Sequence, residues 1–124
     1  MNGSPQRTRR HFVISEPWDV VIVPFPFTER ADTRRRPALA LSTTTFNENG
    51  QTILAMITTT THRPWSGDTV IEGLGEAGLT LSCMVRLKIF TLNNRLIMKR
   101  IGRLSPNDRR KVVEQIQHYL HPVP

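Results

Sequence analysis

Apolar residues fall in short, β-branched runs closed by proline, glycine or asparagine, until a single amphipathic stripe near the C-terminus. The first run is Asp19–Phe25, DVVIVPF, ended by Pro24 and Pro26, neither of which can donate to a sheet ladder. Ala38–Thr44 and Thr52–Thr60 are the next expected strands. Phe46-Asn-Glu-Asn-Gly50 between them has the chemistry of a hairpin turn. Asp68–Glu72 and Leu81–Ile89 continue the series across a glycine-bearing loop, Gly73–Gly78, and Leu96–Arg103 closes it. One helix is clearly signalled. Ser105 is an N-cap, Pro106 suits the first helical position and Asp108 supplies the acid of a capping-box relative. Val112, Val113, Ile116, Tyr119 and Leu120 then form one apolar stripe, stopped by Pro122. Many short strands with a single terminal helix predict a mostly β domain, a small strongly bent sheet or barrel with a C-terminal α-helix on one open side.

Length adds a boundary to this picture. The chain has 124 residues, one domain's worth, and a chain of that size buries about two-thirds of its unfolded surface. Residues 1–17 are polar and basic with little periodicity and read as a flexible tail, docking at most through Phe12-Val13-Ile14; residues 18–124 read as the single domain. The lone Cys83 lies in an apolar run and reads as a packed thiol in a reducing, cytoplasmic setting. No apolar stretch approaches a membrane span, and the N-terminus shows no signal-peptide core, so a soluble protein with no membrane contact is expected.

Charge changes the picture more. Seventeen Lys+Arg against ten Asp+Glu give a net +7, unevenly spread: residues 37–85 carry only Arg63 as a base. Positive charge gathers in the tail, in the loop before Pro37, and from Arg86 to Lys111. Two such segments meeting in the fold would make one phosphate-attracting field. There is no glycine loop followed by Lys-Ser/Thr for a nucleotide triphosphate. His11, His62, His118 and His121 lack metal-ligand spacing, so no metal and no cofactor is expected, and His118 and His121 read as surface residues at a helix end. What remains is Arg, Thr and acid. Arg36 precedes a strand whose start Pro37 fixes, and Thr58–Thr61 ends another strand with four hydroxyls in a row. Alternation sends Thr58 and Thr60 to one face and Thr59 and Thr61 to the other. Arginine donors beside a threonine hydroxyl at adjacent strand ends can hold a phosphate, although spacing alone favours solvated arginines and strand-forming threonines.

The ordered pattern DVVIVPFPFT…RRPALALS, ILAMITT, GDTVI…AGL, RLKIFTL and RIGRLS resembles the MazF/PemK-type toxins of bacterial toxin–antitoxin pairs, from Asp19 to the end of the chain. The resemblance implies a small SH3-like β-barrel with a C-terminal helix, the MazF/CcdB-like toxin fold, acting as a homodimer. It implies a metal-independent, sequence-selective endoribonuclease that cuts single-stranded mRNA and arrests growth, silenced by an antitoxin with an acidic flexible tail. The family's catalytic arginine falls on Arg36 and its catalytic threonine on Thr58. Its acidic residue, from the loop before the arginine, falls on Glu29 or Asp32, neither at the family spacing. Two further departures are Trp18, where the family usually has glycine, and Leu81-Ser82-Cys83, where Pro-Ser is common.

Metal-free RNA cleavage uses the ribose 2′-hydroxyl as nucleophile, expels the 5′-oxygen and leaves a 2′,3′-cyclic phosphate. A guanidinium suits the charge growing on the phosphoryl oxygens, because its donors form a fixed fork. It is a poor proton carrier, with a pKa above about 12. Arg36 is therefore assigned mainly to transition-state stabilisation and secondarily to leaving-group protonation, Thr58 to a non-bridging oxygen, and Asp32 or Glu29 to the base. Imidazole as a class suits base work near neutral pH, and His62 is kept as a further participant. Trp65, in the loop Arg63-Pro-Trp-Ser-Gly67, is the candidate for base stacking, or else folds back over the barrel. Arg30, Arg34 and Arg35 would support neighbouring phosphates. Two other readings stand beside the nuclease: a toxin of this fold that inhibits a protein target such as DNA gyrase, and an inactive relative that only binds nucleic acid or antitoxin.

Overall fold

The sheet is built on alternation. In the computed structural model, which describes residues 14–26 and 34–124, strands β1 (Asp19–Phe25), β2 (Arg34–Ala40), β3 (Gln51–Thr59), β4 (Thr69–Val70), β5 (Cys83–Asn93) and β6 (Lys99–Arg103) form one antiparallel sheet. The strand order is β4-β5-β3-β2-β1-β6, and the sheet curls into a half-barrel. Successive side chains of each strand go to opposite faces, and both faces carry apolar residues. One presents Val20, Leu39, Ala55, Ile57, Cys83 and Val85 to the main core. The other presents Val21, Val23, Ala38, Leu54 and Leu92 to a smaller cluster with Ile97. Most of the expected tail and the segment bearing Glu29, Arg30 and Asp32 lie outside the described residues.

Among the described residues, three α-helical segments accompany the sheet: α1 (Thr44–Asn47), α2 (Leu74–Ala77) and α3 (Pro106–Tyr119). The terminal helix begins as its sequence predicts, with the Ser105 hydroxyl accepting from the Asp108 N–H and proline in the first turn. Its Val112 and Ile116 close the main core. The Asp108 carboxylate does more than cap. It is fully buried and accepts from the backbone N–H of Glu72 (3.1 Å to Oδ1) and of Gly73 (2.9 Å to Oδ2), and from the Ser105 hydroxyl at 3.0 Å, tying the chain after β4 and the start of α2 to the start of α3. Gly102 lies against α2 so closely that a Cβ there would sit 2.4 Å from the Ala77 carbonyl carbon. The Ile-Gly-Arg-Leu-Ser-Pro segment is thus a close helix-on-strand crossing followed by a helix cap.

Two local expectations are corrected. Phe46–Gly50 is not a plain hairpin turn: Thr43 caps the helical turn of α1, accepting from the Phe46 N–H. The side chain of Asn47 is buried, donating to the carbonyls of Ser15 (2.7 Å) and Ser42 (3.2 Å), while the Asn94 amide donates to the Asn47 carbonyl at 2.6 Å. A buried amide with this many partners outweighs turn propensity. The loop Gly73–Gly78 contains α2, ended by Gly78 at φ +76°. Strand bounds also shift: β2 starts at Arg34, upstream of the expected Ala38, and β5 continues past Ile89 to Asn93.

Trp18, the departure from the family glycine, adopts φ +75°. That left-handed conformation costs a non-glycine residue roughly 1–2 kcal/mol. It is held from both sides: the Trp18 N–H donates to the Ala40 carbonyl (2.8 Å), and its carbonyl accepts from the Leu104 N–H (2.9 Å). The indole packs on the main core, and β1 still begins at Asp19. Replacing Asp108 with alanine strands two backbone donors and the Ser105 hydroxyl. We expect a loss of about 3 kcal/mol in denaturant unfolding, with β-sheet content retained in the folded fraction; a change under about 0.5 kcal/mol, the range of ordinary surface substitutions, would show that the carboxylate does not hold these elements together.

Candidate active site

The face carrying the smaller apolar cluster does not remain apolar. Along β2 it runs from Ala38 to Arg36, and along β3 from Leu54 through Met56 to Thr58. Ala38 pairs with Met56, Leu39 with Ala55 and Ala40 with Leu54. The same register carried two residues further sets Arg36 opposite Thr58, with both side chains on one face. On the far side of β2, Arg36 pairs with Val23 of β1. At this end of the sheet Phe25, Arg36, Met56, Thr58, His62, Trp65, Arg86 and Lys88 surround an open cleft of about 220 Å³. Two basic stretches separated by fifty residues of sequence, the one ending at Arg36 and the one starting at Arg86, therefore meet here.

Of the residues singled out in the sequence, Arg36, Thr58, His62 and Trp65 come together in this cleft. β3 ends at Thr59, so the expected run of strand hydroxyls stops there, and the Thr59 hydroxyl bonds to that of Thr61 in the following turn at 2.8 Å. Arg34 and Arg35 are exposed on β2 and do not line the cleft. Glu29, Asp32 and Arg30 lie outside the described residues. Arg36 is half-buried, and its guanidinium carbon lies 5.8 Å from the centre of the Phe25 ring. No carboxylate among the described residues pairs with it.

The cleft wall holds a group that the sequence did not single out. Arg86 is buried against Asp68, its Nε donating to Oδ1 at 3.1 Å and its Nη2 to Oδ2 at 2.9 Å, and Nη2 also donates to the Arg63 carbonyl at 2.7 Å. The guanidinium lies over the Trp65 ring, 4.5 Å from its centre. Asp68 Oδ2 in turn accepts from the Trp65 N–H at 2.7 Å. The Arg86–Asp68 fork thus clamps the loop between β3 and β4 by its backbone and by the face of its indole. Trp65 remains 47% exposed, so it neither folds into the core nor floats free. Asp68 and Arg86 lie in the GDTVI and RLKIFTL segments, eighteen residues apart, but nothing in either segment marks them as partners.

The remaining chemistry-bearing groups are spoken for elsewhere. Cys83 is buried in the main core, and burial pushes its thiol pKa up, which keeps it protonated and unreactive near neutral pH. Asp19 is buried and accepts from the Glu16 N–H (2.9 Å) and from Arg103 Nη1 (3.1 Å). Among the described residues no three His, Cys, Asp or Glu side chains gather in metal-binding proximity. His118 is exposed and meets Tyr119 edge to face, ring centres 4.5 Å apart. No helix among the described residues is long and apolar enough to cross a membrane.

Comparison with known proteins places this geometry. Residues 16–120 match the family described as PemK-like, MazF-like toxin of type II toxin–antitoxin system. Curated protein sequences gave no match. Among solved structures, a Deinococcus radiodurans MazE–MazF complex superposes with a TM-score of 0.70 at 18% identity, covering 89% of this chain and 99% of that one. An endoribonuclease in complex with its cognate antitoxin, from a mycobacterial species, gives 0.68 at 17% identity over 89% and 99%. The Mycobacterium tuberculosis toxin MazF-mt6 gives 0.67 at 18% identity over 86% and 99%. At such identities the likeness establishes the fold.

The clamp has a direct optical consequence, because Trp18 is packed while Trp65 depends on Arg86 and Asp68. Asp68→Ala leaves Arg86 buried without its carboxylate, and we expect a loss of about 3 kcal/mol in stability. Trp65 emission, isolated by subtraction against Trp65→Phe, should shift to the red and become more accessible to acrylamide. Unchanged emission and quenching in Asp68→Ala would mean that the loop is held by something else.

Proposed function

The chain belongs to the PemK-like, MazF-like toxins of type II toxin–antitoxin systems, and on that premise we propose that it is a metal-independent, sequence-selective endoribonuclease cutting single-stranded mRNA. The observation that carries the reading is that Arg36 and Thr58, from adjacent strands, open into one cleft in which Arg36 has no carboxylate partner among the described residues. A half-buried guanidinium in an open cleft is suited to an anion, and its fork fits two oxygens of one phosphate. The Thr58 hydroxyl beside it can donate to a third. Together they would hold the scissile phosphate while the ribose 2′-hydroxyl attacks in line and the 5′-oxygen departs, leaving a 2′,3′-cyclic phosphate.

Charge accumulates on the non-bridging oxygens in that transition state, and donors fixed in advance act most strongly there. Glu29 or Asp32, in the segment preceding β2, is assigned the base that takes the 2′-hydroxyl proton. His62, in the cleft wall, is the alternative proton acceptor. Trp65, held by its clamp with about half its surface free, would stack on a base flanking the cut. Arg30, Arg34 and Arg35 would meet phosphates beyond the cleft. The working unit would be a cytoplasmic homodimer, growth-inhibiting until an antitoxin with an acidic flexible tail covers the same basic face.

The test is incubation of the purified protein with a defined single-stranded RNA in EDTA. We expect cleavage by the wild type, and a drop in kcat of about 10²–10³-fold in Arg36→Ala with an unchanged melting temperature. Thr58→Val should lose activity in the same direction while staying folded. Intact RNA with the wild type, or full cleavage by Arg36→Ala, contradicts the proposal; toxicity without cleavage would favour the protein-target reading instead.

A further inference from the structure

We propose that Lys88 is a phosphate-binding residue of this cleft, engaging the RNA backbone beside Arg36; the inference rests on the nuclease reading above and adds to it a residue and a contact.

Its placement starts with an irregularity in the sheet. Ala55 of β3 pairs with Ile89 of β5, but the next residue, Met56, pairs with Arg86. Leu87 and Lys88 are left without partners on β3, forming a bulge in the longest strand. Bulges of this kind re-aim side chains and recur beside active sites. Because two residues are inserted, alternation is preserved, and Lys88 stays on the cleft face with Arg86 while Leu87 turns away from it. The strand pairs regularly on either side of the interruption, which falls where β5 borders the cleft.

The charge balance of the cleft singles the residue out. Arg86 is already neutralised by Asp68, which it meets through Nε and Nη2. Lys88 pairs with no carboxylate among the described residues, nor does Arg36. The Phe25 ring takes both cations: the Arg36 guanidinium carbon lies 5.8 Å from its centre and the Lys88 ammonium 5.7 Å. One aromatic ring thus orients two like charges that repel each other, an arrangement relieved by an anion reaching both. Polyanionic strands supply such anions in series, and the flexible ammonium, a point charge with rotatable donors, suits a phosphate whose position varies from one bound sequence to another.

The experiment measures binding of a single-stranded oligodeoxynucleotide, which lacks the 2′-hydroxyl nucleophile, by fluorescence anisotropy across a salt series, together with cleavage of the matching RNA. One phosphate contact on a single strand contributes about 0.7 to the slope of log K against log salt. Lys88→Met should reduce the slope by about that amount and weaken binding several-fold, raise KM for RNA, and leave kcat within about two-fold of wild type. Lys88→Arg should restore the slope. Lys111→Met, removing a lysine that pairs with Glu72 outside the cleft, should leave the slope unchanged. A wild-type slope in Lys88→Met, or an equal loss in Lys111→Met, overturns the assignment of Lys88 while RNA cleavage by the wild type upholds the nuclease reading. A wild type that neither binds the strand nor cuts RNA overturns both.

Discussion

The pairing register between β2 and β3 is the constraint on which the site depends. With Ala38 opposite Met56 and Leu39 opposite Ala55, the even-numbered residues of both strands share one face, and Arg36 and Thr58, two residues beyond the Ala38–Met56 pair, line the same cleft. A slip of one residue would send Arg36 toward the helix-covered core and Thr58 away from it. Several interactions forbid that slip. Leu39 and Ala55 are wholly buried in the main core, and Ala38 and Leu54 in the cluster behind the cleft. At the far end the Leu41 N–H donates to the Ile53 carbonyl, and the Ile53 N–H donates to the Ser42 hydroxyl at 2.9 Å. The buried Asn47 and Asn94 amides then fix the connection between the strands. Apolar burial and a polar network at the closed end thus determine where two functional side chains stand at the open end.

Electrostatics at that open end follows from which cations are paired. Arg86, bound by Asp68, serves the architecture of the loop that presents Trp65. Arg36 and Lys88, flanking Phe25, carry charge that the described part of the protein leaves uncompensated. A basic chain of net +7 would attract nucleic acid anywhere on its surface. The cleft differs in holding its free charge on half-buried or ring-braced side chains beside a hydroxyl, where directed hydrogen bonds add to the long-range field.

Much of this is legible in the sequence because local rules agree with the global fold. Proline-bounded β-branched residues mark β1 to the residue, and Ser105-Pro106 with Asp108 marks the start of α3. Strand alternation alone assigns Thr58 and Thr59 to opposite faces. The failures have a common cause, which is long-range partnership. Asn47 belongs to a helical turn because Ser15 and Asn94, distant in sequence, occupy its polar groups. The Arg86–Asp68 clamp and the bulge at Leu87–Lys88 exist only when β3, β4 and β5 are assembled. Trp18 holds a backbone conformation that glycine adopts freely, because neighbouring strands and the core secure it.

The central claim is that Arg36 and Thr58 act on a phosphate attacked by its own ribose 2′-hydroxyl. It is tested most directly by one atom of the substrate. An RNA carrying a single 2′-deoxy nucleotide on the 5′ side of the cleaved bond should bind as well as the all-ribose strand. It should remain uncut at that bond in EDTA, while the all-ribose strand yields a 2′,3′-cyclic phosphate and a 5′-hydroxyl. Cleavage at the deoxy position at an undiminished rate would contradict the account, because the nucleophile would then come from outside the RNA.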